Sequence, residues 1–153
     1  MTITLESIKA DADALAAKIA IFEGQSAAKV AAFYFPEATI ELRQGEHYAG
    51  LIVGTDGEPS YHLVLLQGEA ESINWADAKA WAAGQGGELP TRREQSLLFA
   101  NLKDQFKSNY YWSSQAHESE SAWAWYQGFG SGFQLDDPKS SALRARAVRR
   151  LPI

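Results

Sequence analysis

The chain has 153 residues, of which 46% are apolar and 22% charged, and its formal net charge is -5. That length suits one domain with a real core plus a short appendage, and the acidic balance weighs against general binding to nucleic acid. There is no cysteine, which removes disulfides, thiolate metal sites and cysteine nucleophiles together.

No run approaches the ~18 apolar residues of a membrane span, so no membrane insertion is expected. The opening "MTITLESIKADADALAAK" lacks the basic and uninterrupted apolar regions of a secretory signal. The expectation is a product made in the cytoplasm without a signal peptide. Charge is segregated along the chain. Residues 37–88 hold nine acids and two bases, whereas five bases and no acid follow Asp137. Pairing of the C-terminal arginines with the acidic middle is the expected use of that asymmetry.

Leu5, Ile8, Ala12, Leu15, Ile19 and Phe22 recur at spacings of 3, 4, 3, 4 and 3, a heptad seam. Thr4 can cap the helix and Gly24 can stop it. A lone helix of this length is marginal in water, so its seam needs cover, from other subunits or from the chain's own domain. Residues 1–24 therefore read as an N-terminal oligomerisation helix and 25–153 as the main domain.

"ATIELRQ", "HYAGLIVG" and "YHLVLLQG" are β-rich runs separated by turn residues, which predicts a hairpin and a third strand. "INWADAKAWAAGQGG" places Ile73, Trp75, Ala78, Trp81 and Ala82 on one side of a helix with a Gly-rich exit. "PTRREQSLLFANLKDQF" predicts a second helix, with Thr91 and Glu94 as a capping box. Short strands and loops follow from Asn109. In "ALRARAVRRL", Leu143, Ala145 and Ala147 alternate with Arg144 and Arg146.

The ordered series "INWADAKAWAAGQGGELPTRREQ", "YYWSS", "SAWAWYQGFGSGF" and "RARAVRRLP" resembles the DUF1566, or Lcl C-terminal-like, family. That family is related to the C-type-lectin-like and formylglycine-generating-enzyme folds. The residues carrying the likeness include Trp75, Ala78, Gly86, Leu89, Pro90, Thr91, Glu94, Trp112, Ser113, Ser114, Ala122, Trp123, Gly132, Val148 and Arg149. It spans roughly Ile73 to Pro152. Gly87-Glu88 stands where the family usually has Trp-Arg, and Ala147 where it often has cysteine. The resemblance implies an α+β, C-type-lectin-like domain of two helices and a twisted antiparallel sheet, preceded here by the N-terminal coiled-coil-like helix. It puts Trp123 in the core, takes Trp125 inward with it, and turns Tyr126 outward. Sulfatase-activating relatives use cysteine chemistry, which this chain lacks.

Other chemistry is thinly represented. Ser113, Ser114 and His117 lie near one another, but no G-x-S-x-G elbow is present and the three histidines are scattered. Asp136, Asp137, Glu118 and Glu120 are oxygen donors, too few and too dispersed for calcium. "LDDPKSS" reads as a turn. No catalytic residue, metal or cofactor is expected. What remains for solvent in the aromatic stretch is Asn109, Tyr110, Gln115, His117, Tyr126, Gln127, Ser131 and Gln134. Rigid aromatics beside small hydrogen-bonding groups are the vocabulary of adaptable binding faces. Phe129 and Phe133 can fall on either side, because the phase can slip after Gly128.

The resemblance implies a phage or adhesin setting, and the combined expectation is a non-enzymatic recognition domain of a phage tail fibre or surface adhesin. Its partners would be itself, as a trimer, other tail proteins, and a protein or glycan on a host cell. The alternative is a virion structural component that binds no receptor.

Overall fold

The structure is a computed structural model and describes residues 3–26 and 32–153. The chain divides into two units, Met1–Phe35 and Pro36–Ile153. Residues 27–31, near the start of the segment 25–153 expected to form the main domain, lie outside the described residues.

The first unit contains α1, Leu5–Ser26. Thr4 caps it as expected, its hydroxyl accepting from Ser7 N at 3.2 Å. Gly24 does not end the helix, which runs two residues further. Each described residue from Ile3 to Gln25 is exposed, including the seam residues Leu5 (69%) and Phe22 (70%). Beyond it, Phe33, Tyr34 and Phe35 are exposed too.

The second unit is α+β. It runs β1 (His47–Ile52), β2 (Tyr61–Leu65), β3 (Ala70–Ile73), α2 (Trp75–Gly84), α3 (Arg92–Leu102), a 3-10 turn at Lys103–Gln105, β4 (Tyr110–Ala116), β5 (Trp123–Gly128), β6 (Gln134–Pro138), β7 (Leu143–Ala145) and β8 (Val148–Pro152). One sheet has the order β1-β2-β8 and the other β3-β7-β4-β5-β6. All pairings are antiparallel except β4 with β7.

Several expectations change here. The expected hairpin is made by the second and third β-rich runs, which pair as β1 and β2. The first run, "ATIELRQ", forms no strand. It is held instead by Arg149, which donates to the Glu41 carbonyl at 2.8 Å. Ile73 ends β3, a strand the sequence reading folded into the following helix. The closing alternation also breaks. Ala145, Arg146, Ala147 and Val148 are all buried, because β7 and β8 belong to different sheets and the link between them crosses the interior.

Two cores result, and alternation assigns residues to them. Leu63, Leu65, Ile52 and Val148 meet Leu98, Tyr111 and Phe129 in one cluster. Leu66, Leu89, Trp112, Ala124, Ala145 and Ala147 meet Ala78 and Ala82 of α2 in the other. Tyr111 and Trp112, neighbours on β4, thus feed opposite clusters. α2 is capped by Asn74, whose Oδ1 accepts from Asp77 N at 2.9 Å. Thr91 and Glu94 form the expected capping box of α3.

The charge asymmetry is spent internally. Arg149 donates two hydrogen bonds to Glu46, at 3.0 and 2.8 Å. Arg144 pairs with Glu69 and, at 3.5 Å, with Glu71. Arg150 pairs with Glu88 and with Glu94. Arg146 is the exception. Its guanidinium donates to the carbonyls of Gln105 (2.7 Å) and Leu66 (3.0 Å) and lies over the Phe106 ring. Gly87 makes room for this end of the sheet: a Cβ there would fall 2.4 Å from the Val148 carbonyl oxygen. With that close approach, Glu88 and Val148 exchange backbone hydrogen bonds.

Candidate functional site

β4, β5 and β6 form the sheet edge that carries the residues singled out by sequence. Their register fixes which side chains share a face. Tyr111 lies opposite Gln127, and Gln127 opposite Gln134. Trp112 lies opposite Tyr126, and Tyr126 opposite Leu135. The first row faces α3, where Tyr111 joins Leu98. The second faces the α2 cluster, where Trp112 is packed and Tyr126 leans against it.

Burial along β5 differs from the expectation. Ala124 is fully buried and Tyr126 half-buried toward α2, whereas Trp123 is exposed and Trp125 half-buried on the opposite face. Trp123 is not a core residue. The place beside α2 is already filled by Trp112 with Ala78 and Ala82, leaving room next to it for an alanine.

Four of the expected ligand residues gather around Arg92 at the mouth of α3. Gln115 Oε1 accepts from the Arg92 backbone N–H at 2.8 Å. Gln134 Nε2 donates to the Arg92 carbonyl at 2.6 Å and to Gln127 Oε1 at 2.8 Å. Arg92 Nε returns a bond to Gln134 Oε1 at 3.1 Å. The guanidinium lies 3.6 Å from the centre of the Trp125 ring, and His117 stacks on the same indole at 5.4 Å. His117 Nδ1 accepts from the backbone N–H of Ser119 and of Glu120, so its proton sits on Nε2, 3.8 Å from Asp136 Oδ2. Gln127 is only 1% exposed, which corrects its assignment as a surface residue. Gln115, Gln127 and Gln134 hold α3 to the sheet, while His117 ties down the turn after β4, and their polar groups are largely used in doing so.

The other four lie on or beside one concavity. Asn109, Tyr110 and Ser131, with Ser108, Gly128 and Gly130, line an open cavity of about 340 Å³. Tyr126 meets Tyr110 edge-on, with ring centres 5.1 Å apart. Burial, and then the neighbouring Tyr110, Asp137 and Asp136, raise the Tyr126 pKa above its ordinary value. The lining carries no formal charge. The Asn109 carbonyl accepts from Phe129 N at 2.9 Å, which pins the loop after β5 against the start of β4. A Cβ on Gly130 would fall 2.2 Å from Ser108 Oγ, so a larger residue there would turn the Ser108 hydroxyl. The ambiguity over the two phenylalanines resolves: Phe129 is buried in the core and Phe133 is 69% exposed.

Ser108, Gly128 and Gly130 were missed as cavity residues, although "SNYY" and "GFGSGF" place small residues directly beside the chosen ones. Glu94 does more than cap α3 and carry the family likeness. It also accepts from Tyr61 OH at 2.7 Å and from Arg150, a link across three elements that no local spacing announces. Among the described residues no three His, Cys, Asp or Glu side chains come together as metal ligands. No helix among them is long and apolar enough to cross a membrane.

The fold defines an α+β domain with an uncharged, tyrosine-edged cavity at one end of a five-stranded sheet. Scanned against models of known protein families the chain finds no match, and a search of curated proteins finds none either.

Proposed function

We propose that the second unit is a non-enzymatic recognition domain, of the C-type-lectin-like type that its resemblance to DUF1566 implies. In this reading it belongs to a phage tail fibre or surface adhesin, and Tyr110 and Tyr126 meet a protein or glycan on a host cell. The observation that carries the reading is the cavity lined by Ser108, Asn109, Tyr110 and Ser131. It combines an aromatic ring with hydroxyl and amide groups and has no charged side chain to do acid–base work. Such a lining favours neutral polar ligands. Binding of host cells or of a glycan array tests it. Tyr110→Ala combined with Tyr126→Ala is expected to weaken binding about thirty-fold, the effect of losing one aromatic hot spot of ~2 kcal/mol. Equal binding by wild type and variant would overturn it.

We further propose that α1 joins copies of the chain, as a trimer. The support is an apolar seam exposed along its whole length, on a helix that is marginal by itself. In the first heptad Leu5 takes position a and Ile8 position d, a combination that favours three or more strands. In a parallel, in-register bundle Lys18 at g faces Glu23 at e of the next helix, an attractive pair. Joining three weak sites multiplies avidity without new contacts. Light scattering is expected to give a trimer for the full chain and a monomer for a chain starting at Gln25. A monomeric full chain would sink the idea.

A further inference from the structure

We propose that the outer edge of β6 accepts an extended segment of a partner polypeptide carrying a basic side chain beside an apolar one. This rests on the recognition reading and narrows its partner to a protein. β6 is the last strand of its sheet. Gly128 N donates to the Phe133 carbonyl and Lys139 N to the Ala122 carbonyl, so the backbone of 133 and 139 points toward β5. By alternation 135 and 137 do the same, and the N–H and C=O groups of Gln134 and Asp136 point away from the sheet. Pro138 offers no N–H, and its carbonyl is taken by Ser141 N. The ledge is therefore short, about the reach of a few residues of added strand.

Its side chains say what would lie on it. Leu135 and Tyr110 are about half exposed and Phe133 more so, at 50%, 51% and 69%. Leu135 lies directly opposite Tyr126, and Tyr126 touches Tyr110, so the apolar strip continues from the cavity to the edge. A sugar would find no hydrogen-bonding partner on Leu135 or Phe133. An apolar side chain of a polypeptide would be covered by both, in the manner of an interface centre. Asp136 and Asp137 bring two carboxylates to the same strand, and among the described residues neither is paired with a lysine or arginine. A partner with Lys or Arg answers that charge.

The test is selection of a displayed library of random peptides on the full chain. Enriched peptides are expected to carry Lys or Arg near an apolar residue and to bind less well in about 0.5 M salt. Binding should fall at least about ten-fold in Leu135→Ser and in Phe133→Ser, both solvent-facing positions, and be weaker in Asp137→Asn. Amide exchange at Gln134 and Asp136 should slow when peptide is added. No enrichment, enriched peptides without basic residues, or unchanged binding by both serine variants would overturn the proposal. So would a dimer of the chain starting at Gln25 that Leu135→Ser dissolves, since the ledge would then hold a second copy. Cell or glycan binding that depends on Tyr110 and Tyr126, with no peptide enriched, would reject this proposal and leave the recognition reading standing. Ledge-bound peptides with cell binding indifferent to Tyr110 and Tyr126 would do the reverse.

Discussion

Glu94→Ala is expected to lower the stability of the second unit by about 3–5 kcal/mol, the cost of leaving a buried charge without its partner. Glu94 is fully buried. Its two oxygens accept from Arg150 at 2.5 and 2.9 Å, from Tyr61 OH at 2.7 Å and from Thr91 N at 2.7 Å. Truncation therefore leaves Arg150 only its exposed partner Glu88 and strands a phenol and a helix cap at once. Burial and the adjoining carboxylate push the Tyr61 pKa up to about 12, so that phenol stays a donor. Thermal melting reads the loss, with a fall in Tm of roughly 10–20 °C. Glu94→Gln separates the causes, because glutamine can still close the capping box, which is worth about 1 kcal/mol.

The same carboxylate sets a pH dependence. Burial by itself would raise the Glu94 pKa, but the bonds from Arg150, Tyr61 and Thr91 outweigh it and hold the group below its ordinary 4.5. Glu46 is lowered as well, chiefly by its bonds from Arg149. A carboxyl lowered on folding contributes stability that is complete above its unfolded value and is lost as pH falls through the folded one. Wild type should therefore lose stability progressively below about pH 4.5, and Glu94→Gln should flatten that slope. An unchanged slope in Glu94→Gln would remove Glu94 from the account.

Trp112→Ala is expected to cost about 3–5 kcal/mol, the range for deleting a large core aromatic. Trp112 is completely buried, packs against both α2 alanines and donates from Nε1 to the Ile73 carbonyl at 2.9 Å. Trp75 makes the reciprocal bond to the Ser113 carbonyl at 2.8 Å, so two indoles stitch the start of α2 to β4. Trp123→Ala, at the exposed first position of β5, should cost under about 1 kcal/mol. Denaturant unfolding of the two variants compares them directly. Similar losses at both positions would show that the packing described for β5 is wrong.

That pair also shows where the sequence could be read and where it could not. Spacing revealed the two helices, and the Thr91–Glu94 cap was visible because its partners are three residues apart. Segregated charge foretold the arginine–glutamate pairs, since net asymmetry survives without knowing the fold. The face of β5 was not legible. Both of its sides are covered, one by α2 and the other by α3, so alternation separates two rows without saying which is deeper. Trp123, drawn inward by resemblance, came out exposed, and Gln127 came out buried. "ATIELRQ" has strand-like residues, yet no neighbouring strand pairs with it. The candidate site divided for a related reason. Gln115, His117, Gln127 and Gln134 look like free amides and imidazole until Arg92 is placed among them, and Arg92 lies 23 residues from the first of these and 42 from the last. Asn109, Tyr110 and Ser131 remained on a cavity because their groups serve mostly local backbone.

The distances between charged partners along the chain have a consequence for synthesis. Arg149 follows Glu46 by 103 residues, and Arg144 follows Glu69 by 75. At ~5–20 residues per second on the ribosome, Glu46 waits roughly 5–20 s for its counter-charge. Throughout that interval the nascent acidic stretch repels itself and β2 lacks its β8 neighbour. Completion of both sheets is thus deferred until the basic segment emerges, and a ribosome stalled before Leu143 would display an open, protease-sensitive chain.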